Sequence, residues 1–262
     1  MPSHPLPDWQ LAPGMTRGLW EYSQAEHIAD DYDDFFAYNS LFEFDAEVID
    51  RHFTRPGLVV DLGCGTGRAI VRLARRGFRC LAVDLSEPML RVVEEKADLD
   101  QLDIWRVQAD MTRMDWLRDG AADYCLSLFS TIGMVRGRMH RQRVLQQVRR
   151  ILKPGGLLVL HVHNWWFNLM DTAGRAHIAR SLVRRMWNRD EELGDRFFDY
   201  RGIPNMFLHL YTHRELTGDL RLAGLRIKEM VPLALTRDRP LKLPWLCGRI
   251  RANGWIVVAE RV

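Results

Sequence analysis

The 262-residue sequence has no long apolar run: stretches such as Leu157 to Leu160 fall far short of the roughly 20 residues that span a bilayer. No membrane span is expected. The N-terminus also lacks the apolar core of a secretory signal, because Pro2, Pro5, Pro7 and Pro13 lie there among polar residues. Cysteine is scarce, and Cys64, Cys80, Cys125 and Cys247 form no CxxC pair, so neither a disulfide framework nor a structural zinc site is expected. These absences point to a cytoplasmic protein with free thiols. Lysine is limited to Lys96, Lys153, Lys228 and Lys242, with arginine supplying the rest of the 37 basic residues against 34 acidic ones. A net charge of +3 does not by itself mark a nucleic-acid binder. Internal repeats and low-complexity tracts are absent.

What is present is an ordinary globular composition, 47% hydrophobic and 27% charged, long enough for one domain with an elaboration. The segment from Tyr32 to Phe53 carries Phe35, Phe36, Leu41, Phe42, Phe44, Val48, Ile49 and Phe53 at roughly helical spacing, which predicts a helical N-terminal cap over 1–54. Beyond Pro56-Gly57, short apolar runs alternate with amphipathic segments, the pattern of βαβ units around a parallel sheet. Strands are expected at Leu58 to Leu62, Cys80 to Leu85, Ile104 to Gln108, Asp123 to Phe129 and Leu157 to Val162. Ser86 reads as an N-cap ahead of Pro88, and Lys153-Pro154-Gly155-Gly156 as the stop of a helix carrying Val144, Leu145, Val148 and Ile151. Thr212 and Glu215 form a TxxE capping signal, followed by two strand candidates, Ile227 to Leu235 and Trp255 to Ala259, that suit an antiparallel pair. Residues 164–211 break the repeat. That stretch is too long for a plain connection and holds Trp165, Trp166, Phe167, Trp187, Phe197, Phe198, Tyr200, Phe207 and Tyr211, with basic residues Arg180, Arg184, Arg185 and Arg189.

The chemistry concentrates at three strand ends. Val59 to Gly67 runs a strand through three glycines into a helix, a turn that brings backbone N–H groups close to a ligand. Asp84 ends the next strand at about the interval where a Rossmann-type site places its ribose-binding acid. Asp110 follows the third strand, where its carboxylate can accept from an exocyclic amine while Met111 packs on a flat ring. The glycine spacing is GxGxG and not GxGxxG, which argues against a nicotinamide cofactor.

In these motifs the sequence resembles the class I S-adenosylmethionine-dependent methyltransferases, in the style of the ubiquinone-biosynthesis and generic small-molecule group. Asp61-Leu62-Gly63-Cys64-Gly65-Thr66-Gly67 is similar to their first motif, Val83-Asp84-Leu85-Ser86 to the second and Ala109-Asp110-Met111 to the third. Leu152-Lys153-Pro154-Gly155-Gly156 resembles the turn before the fifth strand, and the likeness resumes at Thr212. The resemblance implies a Rossmann-like, doubly wound α/β fold with a seven-stranded sheet and an antiparallel last strand, here with the helical cap and an inserted lid. It also implies S-adenosyl-L-methionine as cofactor, with Asp61, Gly63, Cys64, Gly65, Gly67, Asp84, Leu85, Asp110, Met111 and Phe129 as the binding residues.

Methyl transfer from a sulfonium needs mainly alignment and desolvation, with a base for a protonated acceptor. Alternation puts His161 and His163 on one face at the carboxyl end of the fifth strand, with His163 nearer the mouth and therefore first as the candidate base. His209 and His213 are weaker candidates. Phe129-Ser130-Thr131-Ile132-Gly133 departs from the motif of amino-methylating DNA enzymes, and Cys125 falls inside a strand. A small or medium-sized, partly apolar acceptor is the leading expectation, with residues 164–211 as a lid. The alternative is an RNA enzyme faintly similar to tRNA wobble-uridine methyltransferases, with Arg136, Arg138, Arg141, Arg143, Arg149 and Arg150 as phosphate contacts. A third reading is a cofactor-binding protein without catalysis.

Overall fold

A computed structural model describes residues 7–36, 41–187 and 191–262 of the chain, with the side chain of Leu41 left aside. Pro2, Pro5 and Arg189, together with residues 37–40 of the expected cap, lie outside the described residues. The cap consists of helices α1 (Arg17–Gln24), α2 (Glu26–Asp30), α3 (Tyr32–Phe36) and α4 (Leu41–His52). Thr16 opens α1, its hydroxyl accepting from Leu19 N at 3.3 Å. Phe36, Phe44, Val48, Ile49 and Phe53 are buried as their spacing predicts, whereas Phe35 is 57% exposed. Phe35 instead packs edge-on against Phe36 with ring centroids 4.9 Å apart.

The α/β repeat follows as β1 (Leu58–Leu62), α5 (Arg68–Arg75), β2 (Arg79–Asp84), α6 (Glu87–Leu99), β3 (Ile104–Gln108), β4 (Ala122–Ser127), α7 (Arg138–Ile151) and β5 (Leu152–His163). Next come α8 (Thr172–Trp187) and a hairpin of β6 (Asp195–Tyr200) and β7 (Ile203–His209). The chain ends with α9 (His213–Leu222), β8 (Leu225–Pro232), α10 (Gly248–Arg251) and β9 (Gly254–Arg261). The seven-stranded sheet has the order β3-β2-β1-β4-β5-β9-β8, and β9 runs antiparallel to both its neighbours. All five residues of β1 are buried because helices cover both faces. Alternation sends Val60 and Leu62 to one core with Val144, Leu145 and Val148 of α7, and Val59 to the other with Val48, Ile49 and Ile70. The order reverses between β1 and β4, and a crevice at such a point lies beyond the carboxyl ends of the strands.

One expectation is corrected. β5 does not wait for the Pro-Gly-Gly turn but begins at Leu152, paired with Ala122, before the register shifts to Tyr124 opposite Leu157. Gly155, at φ 76°, absorbs that irregularity. Residues 164–211 have structure of their own: after a 3-10 turn over Trp165–Met170 and α8 they fold back as the β6-β7 hairpin. Its two-residue turn is Arg201-Gly202, with φ 48° and 85°. No helix of the described residues is long and apolar enough to cross a membrane.

Gly254 locks the sheet beneath the site. It pairs with His163 across β5 and β9, and a Cβ there would stand 2.2 Å from the Val162 carbonyl oxygen. Gly254→Ala must therefore push the two strands apart. A cost of about 3 kcal/mol is expected, read as a fall of roughly 6 °C or more in thermal denaturation.

Candidate active site

The β1-α5 turn places three glycines at φ 70°, 54° and 78°, a region that other residues enter only under strain. Their surroundings differ. A Cβ at Gly63 would lie 2.1 Å from Thr131 Cγ2, and one at Gly67 2.8 Å from Val93 Cγ2, so both serve close packing. Gly65 has nothing within 4 Å of its Cβ position and leaves its backbone open to a cavity. Asp84, at the end of β2, ties this turn to the next one: Oδ2 accepts from Gly65 N at 2.8 Å and Oδ1 from Ser86 N at 2.9 Å. Ser86 caps α6, accepting from Met89 N at 3.3 Å. Burial pushes the Asp84 carboxyl above its ordinary range against the pull of those backbone N–H groups.

Three cavities meet over this edge of the sheet. One, of about 90 Å³, is lined by Gly63, Asp84, Leu85, Asp110, Met111 and Phe129 and roofed by Leu19 and Tyr22 of α1. A second, of about 300 Å³, is lined by Asp61, Cys64, Gly65, Arg68, Tyr32 and Phe129. The third, of about 500 Å³, is walled by Phe36, Phe167, Phe198, Met206 and Leu208 and contains His163 and Arg237. Tyr32 and Phe129 line all three. Gly67 lines none of them and sits at the start of α5. Another depression, of about 820 Å³, is bordered by Arg138, Arg185, Glu191, Glu192 and Arg214 and holds no residue of the β1, β2 or β3 strand-end motifs.

Phe129 reaches the junction because it and Ser130 adopt left-handed backbone, φ 54° and 63°. Such conformations cost about 1 kcal/mol or more each and persist where the surroundings enforce them. Here Ser130 N donates to His161 O at 2.8 Å, and the Phe129 ring packs on Phe36 and Phe42 at 5.6 and 5.3 Å.

The buried Asp61 carboxylate receives no hydrogen bond from any described residue, and desolvation, followed by the Asp84 charge, raises its pKa to about 7. Burial, followed by Asp84 and Asp61, holds the Cys64 thiol well above its ordinary range, so it stays protonated. Asp110 Oδ1 accepts from Thr112 N at 2.8 Å, which fixes the turn beside Met111.

The two β5 histidines are adjacent, with ring centroids 5.6 Å apart. His161 is fully buried, its Nδ1 3.0 Å from Asp45 Oδ2 and its Nε2 without a partner. His163 lines the 500 Å³ cavity, and its main-chain N–H donates to Ser130 Oγ at 3.3 Å. Its Nδ1 is buried without a partner, which leaves Nε2 for the cavity. Burial, then His161 and Arg237, push its pKa well below 6.5. His209 has both ring nitrogens committed, Nδ1 to Asp195 at 2.8 Å and Nε2 to Glu215 at 2.9 Å, and these bonds raise its pKa against the desolvation that would lower it. His213 packs against Trp255, centroids 5.9 Å apart.

Residues 59–156 match the family described as a methyltransferase domain. The match takes in the motif-bearing part of the chain, from β1 to the Gly155-Gly156 turn. Among relatives of this chain, a methyltransferase of Geobacillus sp. (strain WCH70) is 33% identical over 137 residues, 52% of this chain and 50% of its own length. The ubiquinone/menaquinone biosynthesis C-methyltransferase of Bordetella avium (strain 197N) is 29% identical over 146 residues, 50% of this chain and 55% of its own. The chain thus spans about half the length of the relatives it matches. Among solved structures, the CcbJ methyltransferase from Streptomyces caelestis aligns with a TM-score of 0.67 at 19% identity, over 92% of this chain and 99% of that one. That likeness establishes the shared fold.

The residues at these strand ends fit S-adenosylmethionine, the cofactor that the sequence resemblance implies. Asp84, Asp110 and Met111 line one cavity, and in the adjoining one Gly65 has nothing within 4 Å of its Cβ position. Asp61 is an uncompensated buried carboxylate suited to an ammonium group. Sequence reasoning missed Tyr22, Tyr32, Asp45, Arg68 and Arg237. The first two had only their place in the cap as a signal, and Asp45 meets His161 across 116 positions.

Proposed function

We propose that this protein is a methyltransferase that transfers the methyl group of S-adenosylmethionine to a small or medium-sized, largely apolar acceptor. The observation that carries this reading is the aromatic-walled 500 Å³ cavity, which meets both cofactor-side cavities at Tyr32 and Phe129 and holds His163. The glycine turn, Asp61 and Asp84 would hold the cofactor, with Asp110 and Met111 at its base. Bound there, the cofactor supplies an electrophilic sulfonium methyl group. The chain aligns the acceptor against it, excludes water with the Phe129 and Tyr32 rings, and offers His163 Nε2 for the acceptor's proton. Phe167, Phe198, Met206 and Leu208 come from the 164–211 insertion, which on this reading builds the acceptor wall as well as covering it.

The arginines of α7 favour this over an RNA substrate. Arg141 is fully buried and pairs with Glu192 at 2.6 Å and Glu215 at 3.5 Å. Arg138 bonds Asp219 at 2.6 Å, and Arg150 bonds Asp119 at 2.6 Å and the Leu117 carbonyl at 2.7 Å. Guanidinium groups already saturated by carboxylates are poor phosphate contacts. Arg141, a candidate phosphate contact on the RNA reading, is instead drawn inward by carboxylates on neighbouring elements.

Calorimetric titration with S-adenosylhomocysteine tests the cofactor assignment. Wild type is expected to bind, and Asp84→Ala to weaken binding at least about tenfold through loss of charge-assisted hydrogen bonds. Failure of well-folded wild type to bind would remove the reading.

A further inference from the structure

We infer that the acceptor carries a carboxylate and that Arg237 is the group that receives it. The inference deepens the methyltransferase reading above and rests on it. The three asparagines that line the 500 Å³ cavity are spent inside the protein. Asn164 donates to the carbonyls of Arg249 and Ala252 at 3.0 and 2.7 Å and accepts from Trp166 N at 3.1 Å. Asn168 donates to Trp165 O at 2.8 Å and accepts from Arg196 at 3.2 Å, and Asn253 donates to Leu235 O at 3.4 Å.

Arg237 is different. It lines the cavity, sits over the Phe129 ring at 5.6 Å, and forms no side-chain hydrogen bond or ion pair with any described residue. The carboxylate whose field reaches it, Asp45, is bonded to His161. A half-buried guanidinium without an anion is costly to maintain, and burial accordingly pulls its pKa down. Its planar fork of donors matches a carboxylate, which would repay that cost.

The backbone presents this side chain deliberately. Arg237 occupies a left-handed position, φ 62°, in a turn closed by its own N–H to Ala234 O at 3.0 Å. The turn is pinned by Leu233, fully buried, whose N–H donates to Gly254 O at 2.9 Å and whose carbonyl accepts from Asn253 N at 3.0 Å. A strained cation on an anchored turn is pre-organised, so little ordering is left for the ligand to meet. The aromatic walls and Phe129 suit a flat body behind the carboxylate, with His163 in the same cavity for the reacting group. The rival claimant is the cofactor's own carboxylate. Arg68, which lines the 300 Å³ cavity beside the glycine turn and is not part of the 500 Å³ cavity, is the better placed cation for that.

The test uses the full chain, wild type and Arg237→Gln and Arg237→Lys, first titrated with S-adenosylhomocysteine and then, saturated with it, with matched acids and amides. Benzoate and benzamide, cinnamate and cinnamamide, and 2-naphthoate and 2-naphthamide are the probes. In wild type at least one acid is expected to bind about tenfold or more tightly than its amide, the gain of a charge-assisted bond. Arg237→Gln should erase that difference with S-adenosylhomocysteine affinity unchanged, and Arg237→Lys should keep part of it. Acids no tighter than amides in every pair, including no binding by either, overturn the inference. So does an acid preference that survives Arg237→Gln. Weakening of S-adenosylhomocysteine and acids by the same factor reassigns Arg237 to the cofactor. Absence of S-adenosylhomocysteine binding in wild type instead removes the methyltransferase reading, a separate result.

Discussion

Replacing His163 by alanine is expected to lower turnover by about 10²- to 10⁴-fold, the usual worth of a positioned general base, while leaving S-adenosylhomocysteine affinity unchanged. The expectation follows from how the ring is held. His163 is the last residue of β5, its main chain bonded to Ser130 Oγ on one side and paired with Gly254 on the other. The ring lines the acceptor cavity with Nδ1 buried, so Nε2 is the nitrogen that can take a proton there. Burial and the neighbouring His161 and Arg237 disfavour the imidazolium, so the ring is neutral, and competent as a base, across the neutral range. Turnover should therefore stay level from neutral pH upward and fall only below the ordinary imidazole range. Titration of the His163 ring by NMR checks the same claim without an acceptor. A ring that titrates near 6.5, or turnover unchanged in His163→Ala, would falsify the base assignment.

Much of the proposed cofactor side was legible in the sequence because its parts are local. The strand ends at Gly63, Asp84 and Asp110 fall together simply because β1, β2 and β3 are parallel neighbours whose carboxyl ends share one edge. Ser86 announced the start of α6 and caps it. Gly67 shows the limit of motif reading: it belongs to the same triplet as Gly65 but serves the approach of α5 to Val93. The acceptor side was opaque because its contacts are long-range. Arg237 lies in a proline-rich, charged loop that reads as a connection, and nothing local says that it turns into a cavity against Phe129. The β6-β7 hairpin was hidden for a local reason: its turn demands positive φ at two residues, and Arg201 is not a residue that advertises this. Arg141 read as one cation among several on a helix, and only the fold brings Glu192 and Glu215 to it.

Asp61→Asn is expected to make the ligand-free protein more stable above neutral pH and to cripple cofactor binding at the same time. In the folded chain desolvation, and then Asp84, raise the Asp61 carboxyl from 3.8 to about 7. Between those values the folded chain holds a proton that the unfolded chain has released. The contribution to stability is thus fully present below about pH 4 and lost progressively as pH rises through about 7. A displacement of that size corresponds to about 4 kcal/mol, and Asp61 is only 3% exposed, so solvent screens little of it. Asparagine carries no such charge. The difference in unfolding free energy between variant and wild type, measured by denaturant titration from pH 4.5 to 8.5, should grow in the variant's favour as pH rises and level off above about pH 7. A cofactor ammonium reverses the balance for wild type, because it compensates the carboxylate that folding has stripped of water. Binding of S-adenosylhomocysteine near neutral pH should then release part of a proton from Asp61, seen as a dependence of the calorimetric heat on the buffer's ionisation enthalpy. Asp61→Asn should bind far more weakly and release none. A variant that is less stable than wild type at pH 8, or that binds with the same proton release, would show that Asp61 is neither strained by burial nor the partner of the ammonium.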